Sequence, residues 1–270
     1  MPITFAHPVA VLPFARHLPL AALVAGSIAP DVAYYLPISL SGSATHSVAG
    51  VLWWDLLIGL ALLVVFRLSA GPATALLPLS LPSSRASRPR GLDVIPTVIA
   101  VLLGAATHVI WDSFTQTAGF AVQHWDLLRT SVIEPHKTYN VLGYVSSLAG
   151  TATLAYLLVR RARRTTVTAT WMRGAVTVVL LAAPVIGAVL AVDDPVARAS
   201  TYDLIRHMIV GAVRATAGAW AIYAALWHIR AGRVRSSRRV SAAEGERDQE
   251  GRGGDDGEGR GHATDQDVVR

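Results

Sequence analysis

The chain has 270 residues, 52% of them hydrophobic and only 16% charged, with a mean hydropathy of +0.43. A soluble domain carries roughly 25% charged residues, so an ordinary water-soluble globule is excluded and an all-α, polytopic transmembrane helical bundle is expected. The absence of cysteine excludes disulfides and thiolate metal sites. The net charge of +6 does not argue for nucleic acid, because the arginines flank apolar runs instead of interleaving with aromatics on a soluble fold; the lipid bilayer is the partner.

Residues 1–17 are apolar but broken by Pro2, Pro8 and Pro13. They offer neither leading basic residues nor a clean cleavage site, so they do not read as a signal peptide. Residues 18–30 give thirteen apolar or small positions before Asp31. At 1.5 Å per residue that is about 20 Å, short of the roughly 30 Å hydrocarbon core. Two arrangements stay open. Either the run extends through Tyr34, Tyr35 and Leu36 and makes a sixth span that buries Asp31, or residues 5–31 form a re-entrant hairpin beside five spans.

Residues 37–47 are a polar turn in which Ser43 or Thr45 is placed to cap the next helix. A clear span follows over 48–68, with Trp53 and Trp54 suited to one interface and Arg67 to the other. Asp55 inside it reads as a group that reaches the interface or pairs with an arginine. Residues 69–92 read as a loop carrying Arg85, Arg88 and Arg90. The next span, about 94–116, ends in His108 and Asp112, four apart and therefore on one helix face. A carboxylate at membrane depth costs roughly 2.5–3.5 kcal/mol on insertion scales, so this stretch reads as one wall of a polar site.

Residues 117–137 are polar and aromatic, with His124, Trp125, Asp126, Glu134 and His136. A span over 138–159 carries Gly143, Ser146, Ser147 and Gly150, small residues that allow close helix packing. It is followed by the arginine-rich run 160–164. A span over 172–192 tolerates Pro184, Asp193, Asp194 and Asp203 mark an acidic turn, and the last span covers 204–229 with Arg206, His207 and Arg214 in its pattern. From Ser236 the chain is nearly devoid of apolar residues and reads as a disordered polar tail. The expected organisation is a motif-bearing transmembrane domain over 1–160, a further helix pair over 161–235, and the tail over 236–270.

Arginines follow the spans ending near 68, 159 and 229. The positive-inside rule places those loops and the tail in the cytoplasm of a cell-membrane protein, and the loops 37–47, 117–137 and 193–203 outside. Asp31, His46, His108 and Asp112 then gather at the outward side. His7 joins them only in the re-entrant, five-span arrangement.

The pieces F-A-H-P-V-A-V-L-P (5–13), A-G-S-I-A-P-D (25–31), T-H-S-V-A-G-V-L-W-W-D (45–55), H-V-I-W-D-S-F-T (108–115) and Y-N-V-L-G-Y-V-S-S (139–147) stand in the order and spacing of one family. Over roughly its first 160 residues the chain resembles a group of uncharacterised bacterial multi-pass membrane proteins, the domain of unknown function 4184 family. It is more distantly similar to inner-membrane proteins predicted to be metal-dependent hydrolases. The resemblance implies that His7, Asp31, His46, His108 and Asp112 occupy ligand positions. One departure is Gln116, where many relatives place a histidine after Phe-Thr.

Read from the residues alone, imidazole and carboxylate without sulfur suit a divalent metal such as zinc, manganese or iron. Three histidines and two aspartates suffice for one ion, with a group to spare for a second ion or as general base for a bound water. The expected activity is that of a metal-dependent hydrolase acting on a lipid-linked or phosphate-bearing substrate. The alternative is a non-enzymatic transporter or assembly partner that uses the same groups for ion or proton binding. Each residue also has a plainer reading: His108 paired with Asp112 to steady the bundle, His46 at the interface, Asp31 in a turn, His7 in a loop.

Overall fold

The computed structural model describes residues 4–36, 40–76, 79–80, 94–161, 163–164 and 170–255. Residues Met1–Ala221 form one compact unit and Ile222–Arg270 another; the candidate site lies in the first.

The N-terminal stretch forms two short 3-10 turns, Thr4–Val9 and Leu12–Arg16. Pro8 and Pro13 lack the N–H that a continuous α-helix there would need. Helix α1 follows at Leu20–Tyr35. Its sixteen residues reach about 24 Å, less than the bilayer core. Among the described residues five helices are long and apolar enough to cross a membrane: Val48–Leu76, Val94–His124, Thr138–Arg161, Trp171–Ala191 and Thr201–Arg233. Helix α1 is shorter and stands apart from these five, as the five-span arrangement expects.

Between α1 and the first span, the single turns α2 (Gly42–Thr45) and α3 (Val48–Gly50) are capped by Ser41 and Ser47. Their hydroxyls accept from the Ala44 and Gly50 amides at 3.3 and 2.9 Å. The expected caps, Ser43 and Thr45, are displaced: Thr45 turns inward and donates to the Gly42 carbonyl instead. A π-helical turn, Val51–Asp55, leads into α4 (Leu56–Leu76). This helix outruns its expected end near 68 because Pro72 lies buried within it, where packing compensates for the missing donor. Of the expected loop over 69–92, the part with Arg85, Arg88 and Arg90 lies outside the described residues. Strand β1 (Leu79–Ser80) pairs antiparallel with β4 (Arg163–Arg164).

Helix α5 (Val94–Thr115) leads to the short helices α6 (Phe120–His124) and α7 (Asp126–Arg129), then to an antiparallel hairpin of β2 (Ser131–Ile133) and β3 (His136–Lys137). Helices α8 (Thr138–Arg161), α9 (Trp171–Ala191) and α10 (Thr201–Asp255) complete the chain. The backbone of α10 runs on to Asp255. Residues 256–270 lie outside the described set.

Two glycines bring α1 and α5 together in parallel. A Cβ on Gly26 would stand 2.1 Å from the Val101 carbonyl oxygen, and one on Gly104 would stand 2.3 Å from that of Leu23. Only glycine permits that backbone approach. Below the contact, Val11, Ala22, Leu23, Ala25, Leu63, Ala100 and Val101 form the apolar core. Above it, Asp31 on α1 faces His108 and Asp112 on α5.

Candidate metal centre

Four segments contribute to the site. His7 sits on the first 3-10 turn, Asp31 near the end of α1, His46 at the C-cap of α2, and His108 and Asp112 one turn apart on α5. All but His46 are buried, and His46 is half-buried. The i, i+4 spacing of the α5 pair puts both on the face that Gly104 presses against α1.

The three imidazoles are wired alike. His7 Nδ1 lies 3.3 Å from the Thr4 carbonyl, His46 Nδ1 lies 3.0 Å from that of Gly42, and His108 Nδ1 lies 2.7 Å from that of Ser27. A carbonyl can only accept, so each Nδ1 carries a proton and each Nε2 is the nitrogen left facing inward, available to an ion once any proton on it is given up. The Nε2 atoms converge on the two carboxylates. His7 Nε2 is 3.3 Å from Asp112 Oδ1. His46 Nε2 is 3.5 Å from Asp31 Oδ1 and 3.3 Å from Asp112 Oδ2. His108 Nε2 is 3.5 Å from each of the same two oxygens.

These separations exceed the roughly 2.7–2.9 Å of a charge-assisted N–H to carboxylate bond. They match the edge of a tetrahedron of donors around an ion at 2.0–2.1 Å, which is about 3.3–3.4 Å. The donor atoms of Asp31, His46, His108 and Asp112 all lie within 4.8 Å of one another. Two of them, His108 Nε2 and Asp31 Oδ1, are buried with no hydrogen-bond partner, a costly state unless a cation meets them. Two carboxylates also balance one divalent charge, so the residues fit such an ion.

The surrounding groups fix the donors. The Thr4 hydroxyl donates to Asp31 Oδ2 at 2.5 Å and lies 3.1 Å from the Tyr35 hydroxyl. Gln116 Nε2 donates to Asp112 Oδ2 at 3.3 Å. The rings of His7 and His108 stack with centroids 3.8 Å apart, and Trp111, which donates to Ser146 on α8, lies against His7. Burial alone would pull the His46 pKa down; the Asp112 and Asp31 carboxylates beside its Nε2 outweigh that and raise it to about 9.

Every expected site residue is thus brought to one place. Among them His7 is next to the tightest four, held through Asp112. Asp55 departs from its expected role: it is fully buried, and among the described residues its carboxylate oxygens have no hydrogen-bond partner and no arginine pairs with it. It lies within electrostatic reach of His46, His108 and Asp31. Thr4, Thr45 and Tyr35 were not legible as site residues, because hydroxyls of that kind recur along the chain without distinction. His124, His136 and His207 lie elsewhere, His124 bonded to its own helix and His207 3.9 Å from Asp194. Beside the cluster opens a cavity of about 540 Å³, with His46 and Asp112 in its wall.

Helices of bilayer length around a buried histidine and aspartate cluster define the class: a polytopic α-helical membrane protein with a candidate metal centre. The chain belongs to the family described as Domain of unknown function (DUF4184), whose model matches residues 1–227. No curated protein and no solved structure matches it.

Proposed function

We propose that this protein is a metal-dependent membrane hydrolase, with a zinc, manganese or iron ion held by Asp31, His46, His108 and Asp112 at the outward end of the bundle. The observation that carries this reading is the common wiring of the histidines, each tied through Nδ1 to a backbone carbonyl and each aiming Nε2 at the same carboxylates. That is how ligating histidines are oriented. A bound divalent ion polarises a substrate oxygen and lowers the pKa of a water toward ~7.

The chain supplies the rest. Asp31 and Asp112 neutralise the ion in an apolar interior, and Thr4 and Gln116 hold their carboxylates in place. His7 Nε2, 3.3 Å from Asp112 Oδ1, is the group that takes up the proton released by the attacking water. Substrate reaches the cluster through the cavity beside His46 and Asp112. Use of the cluster for ion passage is the weaker reading. A conduit needs polar groups on both sides, and toward the N-terminal ends of α1 and α5 the packing is Val11, Leu23, Leu63 and Val101.

Elemental analysis of the purified protein tests the proposal. The expected result is one zinc, manganese or iron per chain in the wild type and loss of that metal in His108→Ala and in His46→Ala, the latter removing a half-buried side chain and disturbing packing less. Absence of metal from the wild type after loading overturns the reading.

A further inference from the structure

The cavity beside the cluster has a composition that the metal chemistry does not use. Its volume of about 540 Å³ lies within the roughly 300–1,000 Å³ of small-molecule sites. Its lining joins His46 and Asp112 of the cluster with the polar residues Tyr34, Ser113, Gln116 and Thr117. Among the lining residues the one permanent cation is Arg206, on the second turn of α10.

Arg206 forms none of the salt bridges among the described residues, although acidic groups are near in sequence. Asp193 is taken by Arg198, Asp194 stands against His207, and Asp203 accepts from Ser200. Its charge acts instead on the phenol of Tyr34 in the cavity wall. An arginine in the first turns of an apolar helix, without a carboxylate, beside a cavity rich in donors, is placed for an anion that enters from outside the protein.

The pairing of that cation with the metal centre narrows the anion. In hydrolysis of a neutral ester or amide the transition state gains one negative charge, which the ion alone meets. A second, separate cation suits a substrate that already carries charge on a tetrahedral centre, with one oxygen toward the ion and others toward a planar guanidinium.

Resting on the hydrolase reading above, we propose that the cavity binds a phosphate ester, with Arg206 as the residue that recognises its phosphoryl oxygens. In the reaction a water oxygen bonds to phosphorus, the phosphorus–oxygen bond to the alcohol breaks, and the proton lost by the water ends on the departing alcohol oxygen. The products are a phosphate with one ester link fewer and a free alcohol. Tyr34, Gln116 and Thr117 are positioning residues for the bound group.

The test uses the full chain in detergent or lipid nanodiscs, loaded with zinc or manganese and assayed for metal content in parallel. Inorganic phosphate is titrated as a ligand, and phosphate release is followed from soluble para-nitrophenyl phosphate and from phosphatidylcholine vesicles containing phosphatidic acid. The expected result is phosphate binding in the wild type, weakened about tenfold or more in Arg206→Gln and partly restored in Arg206→Lys, with metal content unchanged in both. Release from the soluble ester alone identifies a free substrate, and release from vesicles alone identifies a lipid headgroup; both support the proposal. Metal bound in the wild type with no phosphate binding and no release from either source overturns the phosphate assignment and leaves the metal centre standing. Phosphate binding equal in wild type and Arg206→Gln overturns the role of Arg206. A wild type that takes up no metal overturns the hydrolase reading beneath both.

Discussion

Single side chains in the proposed centre would serve either a proton or an ion, and His46 shows the competition most clearly. Without an ion its pKa is raised to about 9, since the Asp112 and Asp31 carboxylates beside it outweigh the effect of burial. An ion must displace that proton from Nε2. Below about pH 9 the imidazole is mostly charged, so affinity should climb with pH, by up to about tenfold per unit while one proton is exchanged, and level off above. Calorimetric titration with manganese at about pH 6.5 and about pH 8.5 should show tighter binding at the higher value and proton release at both; equal affinities would remove His46 from the ligand set. The α5 pair was legible because a four-residue interval on an apolar run fixes the face both residues share. The backbone anchors were not, since the carbonyls of Thr4, Ser27 and Gly42 carry no sequence signature. Asp55 was misjudged for a related reason: the π-helical turn Val51–Asp55 re-registers the helix face, which a 3.6-residue period does not anticipate.

Among the elements, the contact between α1 and α5 decides whether donors from separate segments meet. Gly26 and Gly104 let the two backbones touch, with Gly104 also placing a would-be Cβ 2.8 Å from the Ser27 amide nitrogen. The Ser27 carbonyl is the anchor of His108 Nδ1, so separation of the helices disturbs packing and ligand orientation together. Gly104→Ala should destabilise the protein by about 1–3 kcal/mol and weaken metal retention, read as a lower unfolding midpoint in detergent and a lower metal content after dialysis. Gly174→Ala, on α9 with open space around it, is the control and should change neither. If Gly104→Ala behaves like that control, the close approach is not what forms the site. The five spans were legible from length and hydropathy, which a bilayer enforces strongly. Their ends were less so: α4 passes Pro72 because tertiary packing supports it, and the caps fell on Ser41 and Ser47, a choice that depends on which way Thr45 turns.

For the molecule as a whole, the unresolved alternatives of the sequence reduced to one question of parity. Thirteen apolar positions before Asp31 were compatible with a sixth span; the helix they form has sixteen residues, and His7 ahead of it stands beside Asp112, as the re-entrant arrangement expects. With five spans, the two ends of the spanning region face opposite sides. The arginines Arg160 and Arg161 end α8, and Arg230 and Arg233 follow along α10, whereas Asp193 and Asp194 lie in the turn between α9 and α10. On the positive-inside bias the arginine ends are expected in the cytoplasm and the cavity end outside. The chain has no cysteine, so one introduced thiol reports its own side. Asp126→Cys, in the segment between α5 and α8, should react with a membrane-impermeant maleimide added to intact cells. Arg235→Cys, beyond the last span, should react only after the cells are opened. Labelling of both from outside would mean an even number of spans between them, against the three that the fold places there. The reverse pattern would keep the span count but turn the cavity toward the cytoplasm, and the substrate would then come from the cell interior.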